Sequence, residues 1–240
     1  MTKMEQTLTQ NPPFTAAAHN DGKKHLLLAA SGSVATIKIP LILQALSHHP
    51  FLSILLVLTN SATNFLAGQS SEQPTLQSLR DIPNVDGIFL DKDEWVYPWK
   101  RGGGVLHIEL RRWADILVIA PLSANTMAKV VGGMADNLLT SVVRAWDASG
   151  LVEQAASGGE LRRKRILVAP AMNTAMWRHP ITKSQLKILE EEWGVDVEGG
   201  WFEVLTPQEK ELACGDVGDG AMREWKEVTE IIEERLSLGR

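Results

Sequence analysis

Four short runs of apolar residues punctuate the chain: His25–Ala30 (HLLLAA), Leu52–Leu58 (LSILLVL), Asp115–Ala120 (DILVIA) and Arg165–Ala169 (RILVA). Apolarity is continuous through each run rather than alternating, the pattern of strands covered on both faces and hence of a parallel sheet. Weaker runs predict strands at Gly87–Leu90 and Gly194–Val197. The intervening stretches predict helices over Val34–Ser47, Leu106–Ala114, Asn125–Val131, Asp136–Trp146, Thr182–Trp193 and Arg223–Leu238. Strands alternating with helices place the chain in the α/β class, as a single doubly wound parallel sheet of flavodoxin/Rossmann-like type. There is no internal repeat.

Composition narrows the picture. With 240 residues, 44% of them hydrophobic, the chain can bury one sizeable core. The expected domain runs over 24–240, behind a polar, Pro-containing and disordered lead-in at 1–23, with a Gly- and charge-rich loop insertion at 150–164. The start has no basic block followed by an apolar one, so it does not read as a secretory signal. A net charge of −5 and a pI of about 5.7 argue against nucleic acid or an anionic membrane as the main partner. No apolar stretch approaches the ~20 residues of a membrane span. The single cysteine, Cys214, permits no intramolecular disulfide, and no His/Cys spacing suggests a metal site. A cytoplasmic location is the expectation.

In a doubly wound sheet, ligands bind beyond the carboxyl ends of the strands. The segments that follow the four strong strands are therefore the candidate site: Ser31–Ala35, Thr59–Phe65, Pro121–Thr126 and Pro170–Trp177. All offer small residues, hydroxyls and amides, and none carries a charge before Trp177. SGSVA allows close backbone approach at Gly32 and presents a helix start with Ser33, a neutral cradle for a phosphate. The same Gly and Ser equally serve a strand-to-helix turn and its cap. PLSANT reads in the same two ways. His107 lies in VLHIELRRWADILVIA with Glu109, Arg111 and Arg112 nearby; its plain reading is structural, and beside a ligand it is a candidate acid or base. Cys214 lies in the glycine-rich LACGDVGDGAM, where either inert packing or exposed chemistry is open. Asn173 is a lone amide between Met172 and Met176 at the mouth of a strand, polar where a core would want Val or Leu.

Taken together and in order, GSVA, HIELRRWADILVIAPLSANT, GGMADNLLT, PAMNTAMW and ACGDVGDGAM resemble the homo-oligomeric flavin-containing cysteine decarboxylases, over about Lys24 to Met222. The branch matched most fully decarboxylates 4′-phosphopantothenoylcysteine to 4′-phosphopantetheine in coenzyme A synthesis. The resemblance implies FMN as cofactor and a trimer with the flavin at the subunit interface. It implies that Gly32, Ser33 and Val34 meet the flavin phosphate region. Thr59, Ser61, Ser123, Ala124, Asn125 and Thr126 would contact the rest of the cofactor, and Ala171 would lie near the ring. His107 matches the active-site histidine. Asn173 and Met176 match substrate-holding positions, and Arg112 one linked to subunit packing. Cys214 lies in a matching flexible clamp, with Ala213 and Met222 as contacts.

The implied chemistry oxidises the thiol-bearing carbon to a thioaldehyde, so that the carbanion left by CO₂ delocalises onto sulfur. Asn173 is then expected to bond the substrate carboxylate or neighbouring amide. His107 would act as base or charge stabiliser and Cys214 as proton donor. Two alternatives stand beside this reading: a decarboxylase of peptides ending in cysteine, and a regulatory, phosphatase-inhibitor-like subunit of a mixed trimer with paralogues.

Overall fold

The computed structural model describes residues 14–16, 21–96, 98–152, 163–211 and 217–239. In chain order its elements begin β1 Lys24–Ala30, α1 Ile39–Leu46, β2 Leu52–Leu58, α2 Asn60–Thr63, β3 Ala67–Ser70, β4 Gln73–Thr75 and α3 Leu76–Arg80. Next come β5 Val85–Leu90, α4 Leu106–Trp113, β6 Ile116–Leu122, α5 Ala124–Val131, α6 Leu138–Arg144 and β7 Ile166–Pro170. The chain closes with α7 Thr174–Trp177, α8 Pro180–Lys187, β8 Phe202–Val204, β9 Gln208–Glu211, β10 Val217–Ala221 and α9 Trp225–Leu236.

Six strands form one parallel sheet in the order β5-β2-β1-β6-β7-β8. By rank along the chain this is 3-2-1-4-5-6, so the winding reverses between β1 and β6 and opens a crevice there at the carboxyl edge. The register makes the strand exits level. Ala30 pairs with Leu58 and Leu58 with Leu90, so Ser31, Thr59 and Asp91 leave the sheet side by side.

Alternate residues of each strand enter different cores. Leu26, Leu28, Ile54 and Leu56 pack with Ile42 and Leu46 of α1 and with Val228 and Ile232 of α9. Leu27, Ala29, Leu55 and Val57 pack on the other face with Leu110 and Trp113 of α4, Met127 of α5 and Val142 of α6. Both faces being covered, every position must be apolar, and each fully buried Leu contributes about 1.5–3 kcal/mol. That burial is what holds the polar exits in place.

Several expectations need correction. Gly194–Val197 is not a strand: Gly194 makes one isolated bridge to Phe202, and the strand is β8. A Cβ at Gly200 would lie 1.8 Å from the Gly194 carbonyl oxygen, so the chain doubles back tightly before Phe202 enters the core. Val34–Ser47 is not one helix. A 3-10 turn over Val34–Lys38 precedes α1, because Pro40 in α1's first turn lacks an N–H and its ring excludes the carbonyl four residues back. Part of the lead-in expected to be disordered is packed: Phe14 sits edge-on to Phe89 and Trp113, at 5.5 and 6.2 Å between ring centres. The Ala16 N–H donates to Glu109 Oε2 at 2.8 Å. Lys164, assigned to the loop insertion, is buried and donates from Nζ to the Arg111 and Arg112 carbonyls at the end of α4, where a cation suits the helix dipole. Residues 153–162 of that insertion lie outside the described residues. The antiparallel hairpins β3–β4 and β9–β10 are polar and carry no apolar signal in the sequence.

Candidate functional site

The crevice at the β1/β6 switch holds a hollow of about 290 Å³ lined by Gly32, Thr59, Ser61, Ser123, Asn125 and Thr126, all sequence candidates. Ser31 ties its two walls together: its hydroxyl donates to the Pro121 carbonyl at 3.0 Å and accepts the Ser123 N–H at 2.7 Å. Thr59 and Ser123 cap α2 and α5, accepting from the Ala62 and Thr126 N–H groups at 3.3 Å each. Ser33 precedes its 3-10 turn without using its hydroxyl as a cap. Gly32 is required for space, since a Cβ there would lie 2.5 Å from Ser61 Cβ. Val34 is 44% exposed and Ala124 half-buried at the start of α5.

The sequence described these turns as uncharged, and the hollow is not. Asp91, Lys129 and Asp136 also line it, brought in from the end of β5, from α5 and from the loop before α6. Asp91 spends both oxygens on helix starts, accepting the Asn60 and Leu138 N–H groups at 3.2 Å each, where a carboxylate opposes the helix dipole favourably. The Lys129 ammonium bonds Asp136 at 2.5 Å and holds its carboxyl below the ordinary range.

A second hollow of about 460 Å³ adjoins the first through Asp91, Asp136 and Asn137, and is lined further by Glu94, Trp95, His107, Ser141 and Arg144. Helix α4 runs back along the sheet, so its first turn delivers His107 to the carboxyl edge. Nδ1 of His107 lies 2.9 Å from Glu94 Oε1. Arg112 points elsewhere, half-exposed and paired with Glu109 at 3.1 Å. The sequence candidates omitted Asp91, Glu94 and Asp136. Their charges lie outside the four post-strand segments, and GGMADNLLT was the one signal that included any of them.

Asn173, Ala171, Met176 and Met222 line neither hollow. Asn173 caps α7, its Oδ1 accepting the Met176 N–H at 2.8 Å, so the lone amide has a structural use as well. Its side chain is exposed, its Nδ2 has no partner among the described residues, and Met176 is 45% exposed beside it. The neighbouring Thr174 Oγ1 is buried and unpartnered among the described residues. Ala171 is buried, its N–H donating to the Leu122 carbonyl at 3.0 Å. Met222, expected to touch a ligand, is 7% exposed within the core cluster that contains α9, so its side chain serves packing.

Hairpin β9–β10 docks against the Asn173 turn. The Met172 N–H donates to the Gly220 carbonyl at 3.0 Å, and a Cβ at Gly220 would lie 2.7 Å from the Met172 carbonyl oxygen. Arg178 at the end of α7 forks onto Asp219 at 2.8 and 3.1 Å, and its hydrogen bond holds the Asp219 carboxyl low. Cys214 and Ala213 lie outside the described residues, between the two strands of this hairpin.

Comparison with known proteins agrees with this fold. A flavoprotein family model matches residues 15–237. A probable phosphopantothenoylcysteine decarboxylase of Arabidopsis thaliana is 44% identical over 202 residues, covering 84% of this chain and 83% of that protein. Coenzyme A biosynthesis protein 3 of Saccharomyces cerevisiae is 40% identical over 94% of this chain, which spans only 36% of that longer relative. Among solved structures, a PPC decarboxylase mutant with serine in place of a cysteine, complexed with pantothenoylaminoethenethiol, superposes with a TM-score of 0.67 at 39% identity, covering 88% of this chain and 97% of that one. The FMN binding protein AtHal3 superposes with a TM-score of 0.68 at 38% identity, covering 91% and 99%.

Proposed function

The chain belongs to the flavoprotein family, and from that premise we propose that it is an FMN-dependent phosphopantothenoylcysteine decarboxylase. The observation that carries the reading is the pair of adjoining hollows at the β1/β6 switch, with His107 on their rim. The residues present fit the cofactor. Gly32 leaves room for nothing but a close backbone contact, Ser33 does not use its hydroxyl as a cap, and the start of α5 lines the hollow, where a helix N-terminus suits a phosphate. Together the hollows fall within the ~300–1,000 Å³ usual for small-molecule sites. The relatives similar to this chain include a probable phosphopantothenoylcysteine decarboxylase and a PPC decarboxylase, and AtHal3 is an FMN binding protein.

Bound flavin would supply reversible two-electron oxidation of the carbon carrying the substrate thiol, which gives the carbanion left by CO₂ a sulfur to delocalise onto. The chain's own residues place and protonate. Asn173 keeps Oδ1 on its helix cap, so its free Nδ2 donates to the substrate carboxylate or the adjacent amide. His107 bonds Glu94 through Nδ1, leaving Nε2 to take up or stabilise charge in the first half of the reaction. Cys214 delivers a proton to the enethiolate carbon as it is reduced. The pantothenoylaminoethenethiol held by the cysteine-to-serine PPC decarboxylase supports that assignment by likeness.

His107 lines the larger hollow while Asn173 lines neither, and apolar Val34 and Met176 lie exposed after β1 and β7. A trimer that sets the Asn173 turn and β9–β10 hairpin of one copy over the hollows of the next would complete each site, and a cytoplasmic location suits the single cysteine. The test uses the full purified chain, reconstituted with FMN, given 4′-phosphopantothenoylcysteine or a cysteine-ended peptide, with CO₂ release followed. Turnover of the first and not the second is expected without any paralogue. Asn173→Asp should stay yellow and lose decarboxylation, because it opposes one carboxylate with another. A colourless protein that refuses reconstitution would overturn the reading.

A further inference from the structure

Glu94 leaves the 3-10 turn after β5 and turns its carboxylate inward, with only 6% of the side chain exposed. Of its two oxygens, Oε1 lies 2.9 Å from His107 Nδ1. Oε2 is buried and has no partner among the described residues. An ionised carboxylate only accepts, so the proton of this bond sits on Nδ1 and the lone pair of the neutral ring sits on Nε2. The residue lines the same hollow as the histidine it holds. The other carboxylates there are committed: Asp91 to two helix N-termini and Asp136 to Lys129. A buried acceptor left unpaired costs about 1–3 kcal/mol, which a ligand bearing an N–H or O–H donor in this hollow would relieve.

We propose that Glu94 is a positioning residue for the decarboxylation: it fixes the tautomer and direction of the His107 ring so that Nε2 meets the substrate, while its second oxygen accepts a donor from the bound ligand. The inference rests on the decarboxylase reading for the consequence in rate, and on geometry alone for the tautomer. An orienting carboxylate behind a catalytic imidazole acts through that imidazole, so its loss is felt where the ring's own loss is not already complete.

The experiment is a double-mutant cycle of Glu94→Gln and His107→Asn in the FMN-loaded full chain, with the histidine tautomer read independently by ¹⁵N NMR. Glu94→Gln keeps the shape but offers an amide N–H to the ring. It should lower kcat at least tenfold, on the order of 10²-fold by analogy with other orienting carboxylates, with KM and the flavin spectrum little changed. In the His107→Asn background the same substitution should have no further effect on kcat. The ring should leave the Nδ1–H form in Glu94→Gln, whether or not the protein turns over. Unchanged kcat, an equal loss in both backgrounds, or an Nδ1–H signal indifferent to the substitution would each overturn the proposal. A wild-type protein that does not decarboxylate removes the assigned reaction, and the tautomer measurement still decides the Glu94 pairing.

Discussion

The two edges of the sheet each hold a histidine against a carboxylate, and they differ in one respect. At the amino edge, His25 of β1 is fully buried, 3.6 Å from Asp115 and 3.3 Å from Asp21, with its ring edge-on to Trp113 at 4.7 Å. At the carboxyl edge, His107 pairs with Glu94 through one ring nitrogen and has a hollow of about 460 Å³ beside it. His49 and Glu233, 2.9 Å apart, make a third such pair and line neither hollow. A histidine–carboxylate pair is thus common fold chemistry here. What sets His107 apart is the hollow that it lines.

That contrast can be broken most severely at the histidines. His107→Asn is expected to lower kcat by about 10²–10⁴-fold, the usual worth of a general acid or base, with Tm unmoved. His25→Asn should do the reverse: it loses about 2 kcal/mol of stability, a Tm fall on the order of 4–8 °C, and turns over normally per folded molecule. Thermal melts beside initial rates separate the two. If His25→Asn lost turnover without losing stability, the distinction between the edges would be gone.

Gly32→Ala ranks next. The new methyl must displace Ser61, and overpacking of about 1–3 kcal/mol corresponds to FMN affinity weakened about 5- to 150-fold. Flavin fluorescence quenching measures it, and unchanged affinity would remove Gly32 from the cradle. The smallest effect lies at the hairpin. Arg178 lowers the Asp219 pKa, so the pairing stabilises the fold above the ordinary carboxylate value of about 4 and is lost as pH falls through the lowered one. Hydrogen exchange of the β10 amides should therefore be faster in Asp219→Asn than in the parent at pH 7. At acid pH the two should exchange alike; a gap that persists there would mean that charge is not what holds the hairpin.

Much of the fold was legible because burial on both sides of a parallel strand leaves an unambiguous mark. β1, β2, β6 and β7 fall where continuous apolar runs predict them, within one or two residues. The candidate turns were legible for a related reason: Thr59, Ser123 and Asn173 are cap residues at strand-to-helix turns, and the sheet order puts such turns at its carboxyl edge. Periodicity failed where local backbone packing outweighed it, as at Gly194–Val197, and where a strand was polar, as in β9.

The order of apolar runs, the small polar residues after them and the five motifs are properties of the chain read in one dimension, and they suffice for the class of fold and the family. Which charges share a hollow is not written in that way. Asp91, Glu94, Lys129, Asp136 and His107 come from four separate segments, and only the level exits of β2 and β5 and the return of α4 along the sheet bring them together. Electrostatic partnership falls off with distance in space rather than along the sequence, so the burial of Glu94 against His107 had to wait for the tertiary structure.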